Sequence, residues 1–445
     1  MMNSAEVKIW DTIVGYLLWS EQRQSADFEF SKNFLSQKLD LSPLQIPLDK
    51  IDAEKIYSFP ARTANDLIVF KGLPLFIADS LPDSFGNRVI NAWLREQGRP
   101  SDSFNPVEYL CYTGSRGTGA LEYNPSLFKS EKTENVDVEF LVELAQSVFE
   151  QRQKLHTNIS IGGDAINDIV KVGASVGGAR PKAVIAYNDV TKEIKSGQIA
   201  AVPQGFEHWL IKLDGVSNSE ELGLSSGMGR VEYAYYLMAK DCGIDMSECR
   251  VLENSGRAHF MTRRFDRPGN GEKLHVQSLC ALANMNYKNM NAYSYEDVFA
   301  VIRKMRLPYT STEQQYRRMA FNIVAKNCDD HTKNIGFLMD TQGKWSLAPA
   351  YDVSYAFDPT GRWNYQHFLS VNGKNTGITF LDLEKIGKEQ GVKDYKEIIE
   401  QICEVVSRWL DYAQSAGVET SIANGIEKMH EVKNIRMRIS SRIVF

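Results

Sequence analysis

The chain has 445 residues, of which 43% are apolar and 24% are charged, a composition typical of a soluble globular protein. This length is more than one ordinary hydrophobic core accommodates, so we expect two or three domains. Its 51 basic and 56 acidic residues give a net charge of −5, which argues against a chain that wraps nucleic acid by itself.

The cysteines and the amino terminus indicate the compartment. The six cysteines are scattered, without a CxxC pair or a zinc-ligand spacing, which is typical of reduced thiols. The amino terminus carries Glu6 and Asp11 among apolar residues and lacks the cationic segment of a secretory signal. No apolar run approaches the ~20 residues of a membrane span. We therefore expect a cytoplasmic protein that does not enter a membrane.

The first part of the chain, residues 1 to about 130, has the pattern of a mixed α/β unit. Strands are predicted at residues 13–19 and 66–70. Residues 79–98 begin with turn residues and continue as an amphipathic helix. Residues 114–125 contain three glycines before a short strand. No helix or Lys-Ser/Thr pair follows them, so a turn is favoured over a phosphate-binding loop.

A polar and charged stretch at residues 129–135 indicates a domain boundary, and a helix is predicted after it at residues 139–154. From about residue 293 onward, helical periodicity dominates. One helix of this part has an apolar stripe, formed by Tyr316, Met319, Ile323 and Val324.

Three segments between these parts have residues that suit a nucleotide site. Residues 171–187 are a loop of small residues that leads into a strand. Gly177 and Gly178 allow backbone amides to approach phosphate oxygens there. By itself this loop is more typical of an ordinary turn, because the ending of a Walker loop is missing. Residues 208–213 alternate as a strand, with Lys212 on the same face as Leu210.

Lys212 and Glu232 each allow two interpretations. A lysine in such a strand is often an edge or snorkelling residue, whereas in a kinase it contacts the α and β phosphates of ATP. Glu232 lies near the start of a helix predicted at residues 229–242. It would either pair with the strand lysine or be a solvated acid in the first helical turn.

The third segment, residues 258–268, is a strand that leads into the sequence RRFDR. Such a strand end suits a hinge at which backbone groups meet an adenine. The alternative is an ordinary strand end with solvated charges.

The segments NCDDHTKN (residues 327–334) and PAYDVS (residues 349–354) carry most of the chemistry. Asp329, Asn334 and Asp352 suit phosphoryl transfer, which needs a group that orients the attacking hydroxyl and hard oxygen ligands for Mg²⁺. Protein kinases place a catalytic Asp, an Asn five residues later and a metal-binding Asp in this order.

The surroundings of these residues leave alternatives open. Strands predicted at residues 335–339 and 344–347 flank a turn and would bring the three residues together. A polar loop with ordinary turn residues is the other interpretation. A metal site through Asp329, Asp330 and His331 is a further one, although adjacent ligands are crowded. The order of all the segments favours a kinase.

Together these segments resemble the HipA-type serine/threonine kinases, the toxins of bacterial toxin–antitoxin pairs. The resemblance runs from about residue 15 to about residue 410. Its motifs are LPDSFGNR, GSRGTGALEYNP, SVGGARPKA, HWLIKL, RRFDR, NCDDHTKN, PAYDVS and HFLSVNGK. It implies an α+β fold of the two-lobed protein-kinase-like type with an N-terminal α/β accessory subdomain. The implied domains are this subdomain at residues 1–130, a mixed N-lobe at 131–265 and a helical C-lobe at 266–445.

The resemblance also implies roles for individual residues. Asp329 would be the catalytic aspartate, Asn334 and Asp352 would hold Mg²⁺, and Glu232 would support Lys212. The residues implied to bind ATP lie in the small-residue loop, the hinge and the segments around the phosphates: Gly177, Gly178, Ala179, Arg180, Pro181, Lys182, Lys212, Arg263, Arg264, Phe265, His331, Lys333, Asn334, Tyr351 and Asp352.

Regulation and partners follow from the same resemblance. Ser175 stands where the family is autophosphorylated, and a phosphate of charge about −2 there would repel the phosphates of ATP. Arg180 and Pro181 differ from other members, and the proline stiffens this loop. The implied partners are a protein substrate, which is an aminoacyl-tRNA synthetase in better-known relatives, and a helix-turn-helix antitoxin that supplies the DNA contact.

Two other functions remain open, because a fold does not determine a substrate. One is a phosphotransferase of the same fold that acts on a small molecule or a lipid. The other is a non-catalytic member of a repressor complex, against which the joint presence of Lys212, Asp329, Asn334 and Asp352 argues.

Overall fold

The computed structural model describes residues 2–127, 134–149, 180–199, 201–216, 226–361 and 364–440. The chain divides into two units. Unit 1 comprises Met1–Gly229, Arg250–Gln277 and Leu338–Lys344, and unit 2 comprises Arg230–Cys249, Ser278–Phe337 and Trp345–Phe445.

Unit 1 begins with an antiparallel sheet. Its strands are β1 (Ser4–Ile9), β2 (Thr12–Ser20), β3 (Ser25–Phe30), β4 (Ile56–Ser58) and β5 (Leu121–Asn124), in the order β4-β3-β2-β1-β5. Val7, Leu17 and Phe28 are buried on one face, whereas Tyr16 and Leu18 alternate to the exposed face. The strands predicted at residues 13–19 and within 114–125 are therefore confirmed as β2 and β5.

Short helices accompany this sheet. They are α1 (Lys32–Ser36), α2 (Ala64–Phe70), α3 (Leu75–Ala78), α4 (Ser84–Glu96) and α5 (Pro106–Thr113). The amphipathic helix predicted within residues 79–98 is α4. It begins after Asp83, whose Oδ1 accepts the Gly86 N–H at 2.6 Å and so caps the helix.

The strand predicted at residues 66–70 is wrong, because this segment belongs to helix α2. Thr63 is the N-cap, and its hydroxyl accepts the Asp66 N–H at 3.1 Å. Lys71 ends the helix in the left-handed conformation. The β-branched Ile68 and Val69 gave the segment a strand-like composition, but the cap satisfies a backbone donor of the first helical turn and favours the helix.

A second sheet and a long helix complete unit 1. The elements are α6 (Val138–Phe149), β6 (Lys182–Tyr187), β7 (Ile194–Ser196), β8 (Glu207–Lys212), β9 (Cys249–Asn254) and β10 (Arg257–Arg263), and the strand order is β7-β6-β8-β10-β9. The strand predicted at residues 208–213 is β8. The helix predicted at residues 139–154 is confirmed as far as Phe149, and residues 150–154 lie outside the described residues.

One hydrophobic core joins α4 and α6 to the second sheet. Phe85 and Val89 of α4 pack in the same cluster as Ile185 of β6 and Trp209 and Ile211 of β8. Each of these side chains is at most 3% exposed. A helix of the first 124 residues therefore forms part of the core beneath the strand that ends at the predicted ATP-binding lysine.

Helices dominate unit 2. The helices from residue 228 onward are α7 (Met228–Asp241), α8 (Leu279–Leu282), α9 (Tyr295–Lys304), α10 (Tyr309–Val324), α11 (Phe380–Glu389), α12 (Tyr395–Ser407), α13 (Trp409–Ser415), α14 (Thr420–Glu427) and α15 (Val432–Ser440). The remaining strands are β11 (His275–Ser278), β12 (Gly336–Met339) and β13 (Trp345–Leu347). The predicted apolar stripe lies on α10, and all four of its side chains are buried. None of the helices in the described residues is both long enough and apolar enough to cross a membrane.

Gly119, in the glycine turn (residues 114–119), has a backbone that other residues tolerate poorly. Its φ is +81°, and an added Cβ would lie 2.9 Å from the backbone nitrogen of Val276. We expect Gly119→Ala to lower the free energy of unfolding by about 2–5 kcal/mol, because conformational strain and a steric clash add. Chemical denaturation measures this loss.

Gly98→Ala is the matched control for this prediction. Gly98 has a similar φ of +69°, but nothing lies within 4 Å of its added Cβ. We expect this control to lose only the strain of about 1–2 kcal/mol. Equal losses in the two variants would contradict the close approach of the glycine turn to Val276.

Candidate active site

The polar loop of residues 327–334 follows helix α10 in unit 2. The loop is fixed at its start, because the Cys328 N–H donates to Ala356 O and the Ala356 N–H donates to Lys326 O, both at 3.1 Å. It ends in a 3₁₀ turn, Thr332–Asn334, which leads into β12. Strands β12 and β13 match the strands predicted at residues 335–339 and 344–347.

This loop and the residues after β13 bring the three predicted catalytic and metal-binding residues together. Asp329, Asn334 and Asp352 line one pocket of unit 2, next to Asp330 and Tyr351. Asn334 Nδ2 donates to the backbone oxygen of Asp329 at 2.8 Å. Asp352 has a φ of +57°, a strained value that is common at functional sites. The predicted convergence of these residues is therefore present in the structure.

The Asp329 side chain is accessible to a substrate. It is 58% exposed, and its Oδ1 lies 3.6 Å from Nε2 of His331. The imidazole of His331 packs between Tyr287, at 5.2 Å between ring centroids, and Phe368, at 6.0 Å. The aromatic rings hold the imidazole beside the aspartate.

Two other predicted residues adjoin this loop. Lys333 Nζ lies 5.4 Å from the ring centroid of Tyr287. The Tyr351 hydroxyl donates to the Lys333 backbone oxygen at 2.7 Å. Tyr351 therefore ties the segment that carries Asp352 to the loop that carries Asn334.

Asp330 has a different role from its neighbour, because its side chain is only 1% exposed. Its Oδ2 accepts the Tyr295 hydroxyl at 2.8 Å and faces His367 Nδ1 at 3.1 Å, and its Oδ1 accepts the Phe368 N–H at 2.7 Å. We call these residues, with Asn322, the Asp330 network. Asn322 Nδ2 donates to the Tyr295 oxygen at 3.0 Å.

The Asp330 network predicts a specific cost for the loss of one hydroxyl. Tyr295→Phe removes a hydrogen bond to a buried carboxylate, so we expect the free energy of unfolding to fall by about 1.5–3 kcal/mol. Tyr309→Phe is the control, since Tyr309 is 42% exposed and its hydroxyl accepts only the Lys393 N–H in the described residues. We expect that control to lose less than about 1 kcal/mol. Urea denaturation compares the two, and equal losses would contradict the prediction.

The imidazole of His367 lies against the Asp330 carboxylate and the Cys328 thiol. Burial lowers the pKa of His367, but the carboxylate of Asp330 and then Cys328 outweigh burial and raise it to about 10. The Cys328 Sγ lies 3.7 Å from His367 Nε2. The Asp330 and His367 side chains therefore form a buried ion pair directly behind the loop.

This ion pair predicts a pH dependence of stability. A raised pKa contributes stability that is fully present below about pH 6.5 and is lost as the pH rises through about 10. We therefore expect the difference in free energy of unfolding between the wild type and His367→Gln to be larger at about pH 6 than at about pH 10. Denaturant titrations across this range measure it. A difference that does not change with pH would show that His367 is neutral.

The residues present fit a magnesium ion. Asn334 uses its amide nitrogen for Asp329, which leaves its carbonyl oxygen for a ligand, and Asp352 supplies a carboxylate to the same pocket. Asn327 Oδ1 and Gln315 Oε1 also belong to pocket residues and are buried without a hydrogen-bond partner in the described part of the chain. Mg²⁺ is commonly held by one or two carboxylates together with phosphates and water, so a small polar pocket suits it.

The alternative metal site through Asp329, Asp330 and His331 is not supported. The Asp330 carboxylate is already occupied by its network. Among the described residues, no group of three or more His, Cys, Asp or Glu side chains could hold a metal ion.

The predicted phosphate-covering loop is described only from Arg180 onward. Ser175, Gly177, Gly178 and Ala179 lie outside the described residues. Pro181 and Lys182 are buried at the start of β6. The Pro181 oxygen accepts the Leu213 N–H at 2.9 Å, and Lys182 Nζ lies 3.5 Å from Asp83 Oδ2. Arg180, which precedes them, is half-buried.

Lys212 is half-buried at the end of β8. Its Nζ lies 5.6 Å from the ring centroid of Phe260, and in the sheet register Lys212 is opposite both Phe260 and Lys182. Glu232 lies in the first half of α7 and is 6% exposed. This burial is inconsistent with a solvated acid in the first helical turn, and the pairing of Glu232 with Lys212 stays a prediction.

The hinge residues at the end of β10 differ from each other. Arg263 forms a surface ion pair with Glu207 at 2.7 Å. Arg264 is buried; its backbone N–H donates to His208 O at 2.9 Å, and its side chain pairs with Asp266. Phe265, which follows, is half-buried. The alternative of solvated charges at this strand end is therefore wrong for Arg264.

Sequence reasoning missed the supporting residues Asp330, Tyr295 and His367 as parts of the site. His367 begins the motif HFLSVNGK, but nothing in that motif indicates a partner 37 residues away. Tyr295 has no distinguishing signal, because a buried tyrosine in an amphipathic helix is common.

Comparisons with known proteins give consistent results. The family model described as the HipA-like C-terminal domain matches residues 174–410, and the HipA N-terminal domain model matches residues 5–124. Over 95% of both chains, the fold is similar to the HipA of Shewanella oneidensis MR-1, solved in a complex of HipA, HipB and operator DNA. The TM-score is 0.64 and the identity is 16%.

Two curated relatives match shorter segments. A protein described as a kinase, Y4mE of Sinorhizobium fredii, is 26% identical over 26% of this chain and 30% of its own length. A protein of Haemophilus influenzae, also described as a kinase, is 25% identical over 27% of this chain and 39% of its own length. The chain thus spans about a third of the length of each.

Proposed function

Because the chain belongs to the HipA-like family, we propose that it is an ATP- and Mg²⁺-dependent serine/threonine protein kinase and the toxin of a toxin–antitoxin pair. The observation that carries this proposal is the convergence of Asp329, Asn334 and Asp352 on one pocket of unit 2. Phosphoryl transfer depends mainly on positioning and on the electrostatics of such groups.

In this proposal, Asp329 orients the substrate hydroxyl and accepts its proton. Its 58% exposure leaves the carboxylate open to a protein side chain, and His331 Nε2, at 3.6 Å, adds a polar group at the same place. Asn334 and Asp352 hold Mg²⁺, which when bound neutralises charge on the phosphate oxygens. The hydrogen bond from Asn334 to the Asp329 backbone keeps the base and the metal ligand in one geometry.

The proposal assigns the nucleotide to the residues that the family resemblance implies. Lys212 contacts its phosphates, Glu232 supports this lysine, and the loop of residues 177–182 covers the phosphates, with Lys333 assisting. The backbone at residues 263–265 meets the adenine. This role leaves the side chains of Arg263 and Arg264 with their partners Glu207 and Asp266. Residues 1–130, 131–265 and 266–445 are the accessory subdomain, the N-lobe and the C-lobe of this kinase.

Regulation and partners are part of the proposal. Autophosphorylation at Ser175 would place a charge of about −2 beside the phosphates of ATP and stop the reaction. The Shewanella protein was solved with HipB and operator DNA, and we infer a helix-turn-helix antitoxin for this chain as well. The antitoxin would supply the DNA contact, since the chain has a net charge of −5.

The test is incubation of the purified protein with labelled ATP and a lysate, followed by mapping of the label. We expect label on serine or threonine of proteins, including Ser175, with the wild type and not with Asp329→Asn. Label confined to lipids or small molecules would favour the alternative phosphotransferase. Absence of label, with growth inhibition unchanged in Asp329→Asn, would overturn the kinase. Phosphoproteomics after induction of both proteins identifies the target.

A further inference from the structure

The motif RRFDR continues past the predicted hinge into a buried ionic cluster. Arg264 Nε and Nη2 donate to Asp266 Oδ1 and Oδ2 at 2.9 and 2.7 Å, and Arg267 Nη1 donates to Oδ2 at 2.7 Å. The three side chains are 3–7% exposed. Burial raises the pKa of Asp266, but Arg264 and Arg267 outweigh it and hold the pKa well below its usual range.

One carboxylate cannot satisfy two guanidinium groups, and the glycine turn (residues 114–119) supplies the remaining partners. The Gly117 oxygen accepts from Arg267 Nη2 at 2.8 Å and from Arg264 Nη2 at 3.2 Å. The Gly119 oxygen accepts from Arg267 Nη1 at 2.9 Å, and the Gly119 N–H donates to Asp266 at 2.8 Å. The arginines therefore bind carbonyl oxygens of the turn, and the aspartate binds one of its N–H groups.

The structure explains why a glycine occupies position 119 of this turn. A side chain at Gly119 would collide with the backbone of Val276. Lys273, from the segment that follows the cluster, adds a further bond to the turn, because its Nζ donates to Ser115 O at 2.9 Å. The turn therefore packs against the chain that follows the hinge. A phosphate-binding loop would instead leave its backbone amides accessible to a ligand.

A second contact joins the N-terminal part of the chain to the other end of the predicted nucleotide site. Asp83, the cap of α4, lies 3.5 Å from Lys182 Nζ, and the two side chains are 4% and 2% exposed. Lys182 is the last residue of the predicted phosphate-covering loop and the first residue of β6. Between the two contacts, α4 packs in the core with β6 and β8 through Phe85 and Val89.

We propose that the N-terminal domain (residues 5–124) positions the nucleotide site through two buried ionic contacts, the Asp266 cluster at the hinge and Asp83–Lys182 at the phosphate loop. Asp266 and Asp83 are positioning residues, because they fix the backbone of residues that meet ATP. This inference rests on the proposed function. It goes further in assigning part of the ATP affinity to contacts that the N-terminal domain makes, which the kinase chemistry alone does not require.

Two variants of the full chain test the inference. Asp266→Asn leaves two buried guanidinium groups with a neutral amide, and Asp83→Asn keeps the helix cap but removes the charge opposite Lys182. We expect each to raise the Kd and the KM for MgATP by about tenfold, with kcat at saturating ATP within about twofold of the wild type. The variant Asp266→Glu keeps the negative charge, so we expect its Kd for MgATP to lie between those of the wild type and Asp266→Asn.

Glu139→Gln is the matched control. Glu139 pairs with Arg257 in unit 1 and joins α6 to β10, at about one-third exposure and away from the cluster. Its ATP affinity is expected to equal that of the wild type even if its melting temperature falls. If Asp266→Asn and Asp83→Asn also bind MgATP with unchanged affinity, the positioning role is overturned. A wild type that does not bind MgATP would instead overturn the proposed function.

Hydrogen exchange of the wild type tests the inference without any variant, in case Asp266→Asn does not fold. We expect MgATP to slow exchange of the amides at residues 115–119 together with those of residues 263–267, since the Asp266 cluster joins them. Slowing confined to residues 263–267 would overturn the inference.

Discussion

Asp329→Asn is expected to lower the rate of phosphoryl transfer by about 10²–10⁴, the contribution of a positioned general base. The amide cannot accept the proton of the substrate hydroxyl, yet it has nearly the same size as the carboxylate. The side chain is 58% exposed and does not support the core, so folding is expected to remain intact. Single-turnover labelling of protein in a lysate measures the rate.

The affinity for MgATP separates this effect from a loss of binding. Asp329 is proposed to contact the substrate hydroxyl, so the Kd for MgATP is expected to stay within about threefold of the wild type. Asp394→Asn is the matched control in unit 2, because Asp394 is exposed and its side chain does not cap its helix. A transfer rate in Asp329→Asn equal to that of Asp394→Asn would exclude Asp329 as the base.

Sequence reasoning located Asp329, Asn334 and Asp352 because short-range spacing determines their geometry. The loop between α10 and β12 and the turn after β12 leave few ways to arrange these residues. The convergence follows from local structure, whereas the two-lobed fold is implied by the resemblance of the motifs to the HipA-type kinases.

The parts that sequence reasoning missed depend on partners distant in sequence. Arg264 reaches Gly117 across 147 residues, and His367 reaches Asp330 across 37 residues. No spacing rule connects such positions, so the sequences RRFDR and GSRGTG do not indicate that these two segments contact each other. The error at residues 66–70 has another origin. Ile68 and Val69 are β-branched and suit a strand, but capping by Thr63 favours the helix that forms.

The Asp330 network would give a fixed position to Asp329, the proposed base. Asp329 accepts the Asn334 bond at its backbone oxygen, and His331 lies near its side chain. Its neighbour Asp330, by contrast, is held by a tyrosine, a histidine and a backbone N–H. Because Asp330 is held in this way, it restricts the backbone of the adjacent Asp329. We therefore expect the network to contribute to catalysis as well as to stability.

Asp330→Asn is accordingly expected to lower the free energy of unfolding by about 3–5 kcal/mol, because it leaves the buried charge of His367 without its partner. It is also expected to lower kcat by about tenfold or more, since the backbone at Asp329 loses its anchor. Denaturation and single-turnover labelling measure the two effects. In a double-mutant cycle, Asp330→Asn and His367→Gln should together cost less than the sum of the single losses.

Asp382→Asn separates positioning from general destabilisation. Asp382 is also a buried carboxylate of unit 2, with a side chain 4% exposed, but it pairs with Lys374, accepts the Thr379 N–H in the capping box of α11 and does not line the pocket. We expect Asp382→Asn to lower stability while kcat at a temperature of full folding stays unchanged. If the two variants lower kcat equally, the Asp330 network acts only through stability. If Asp330→Asn alone lowers it, the buried ion pair behind the loop positions the base.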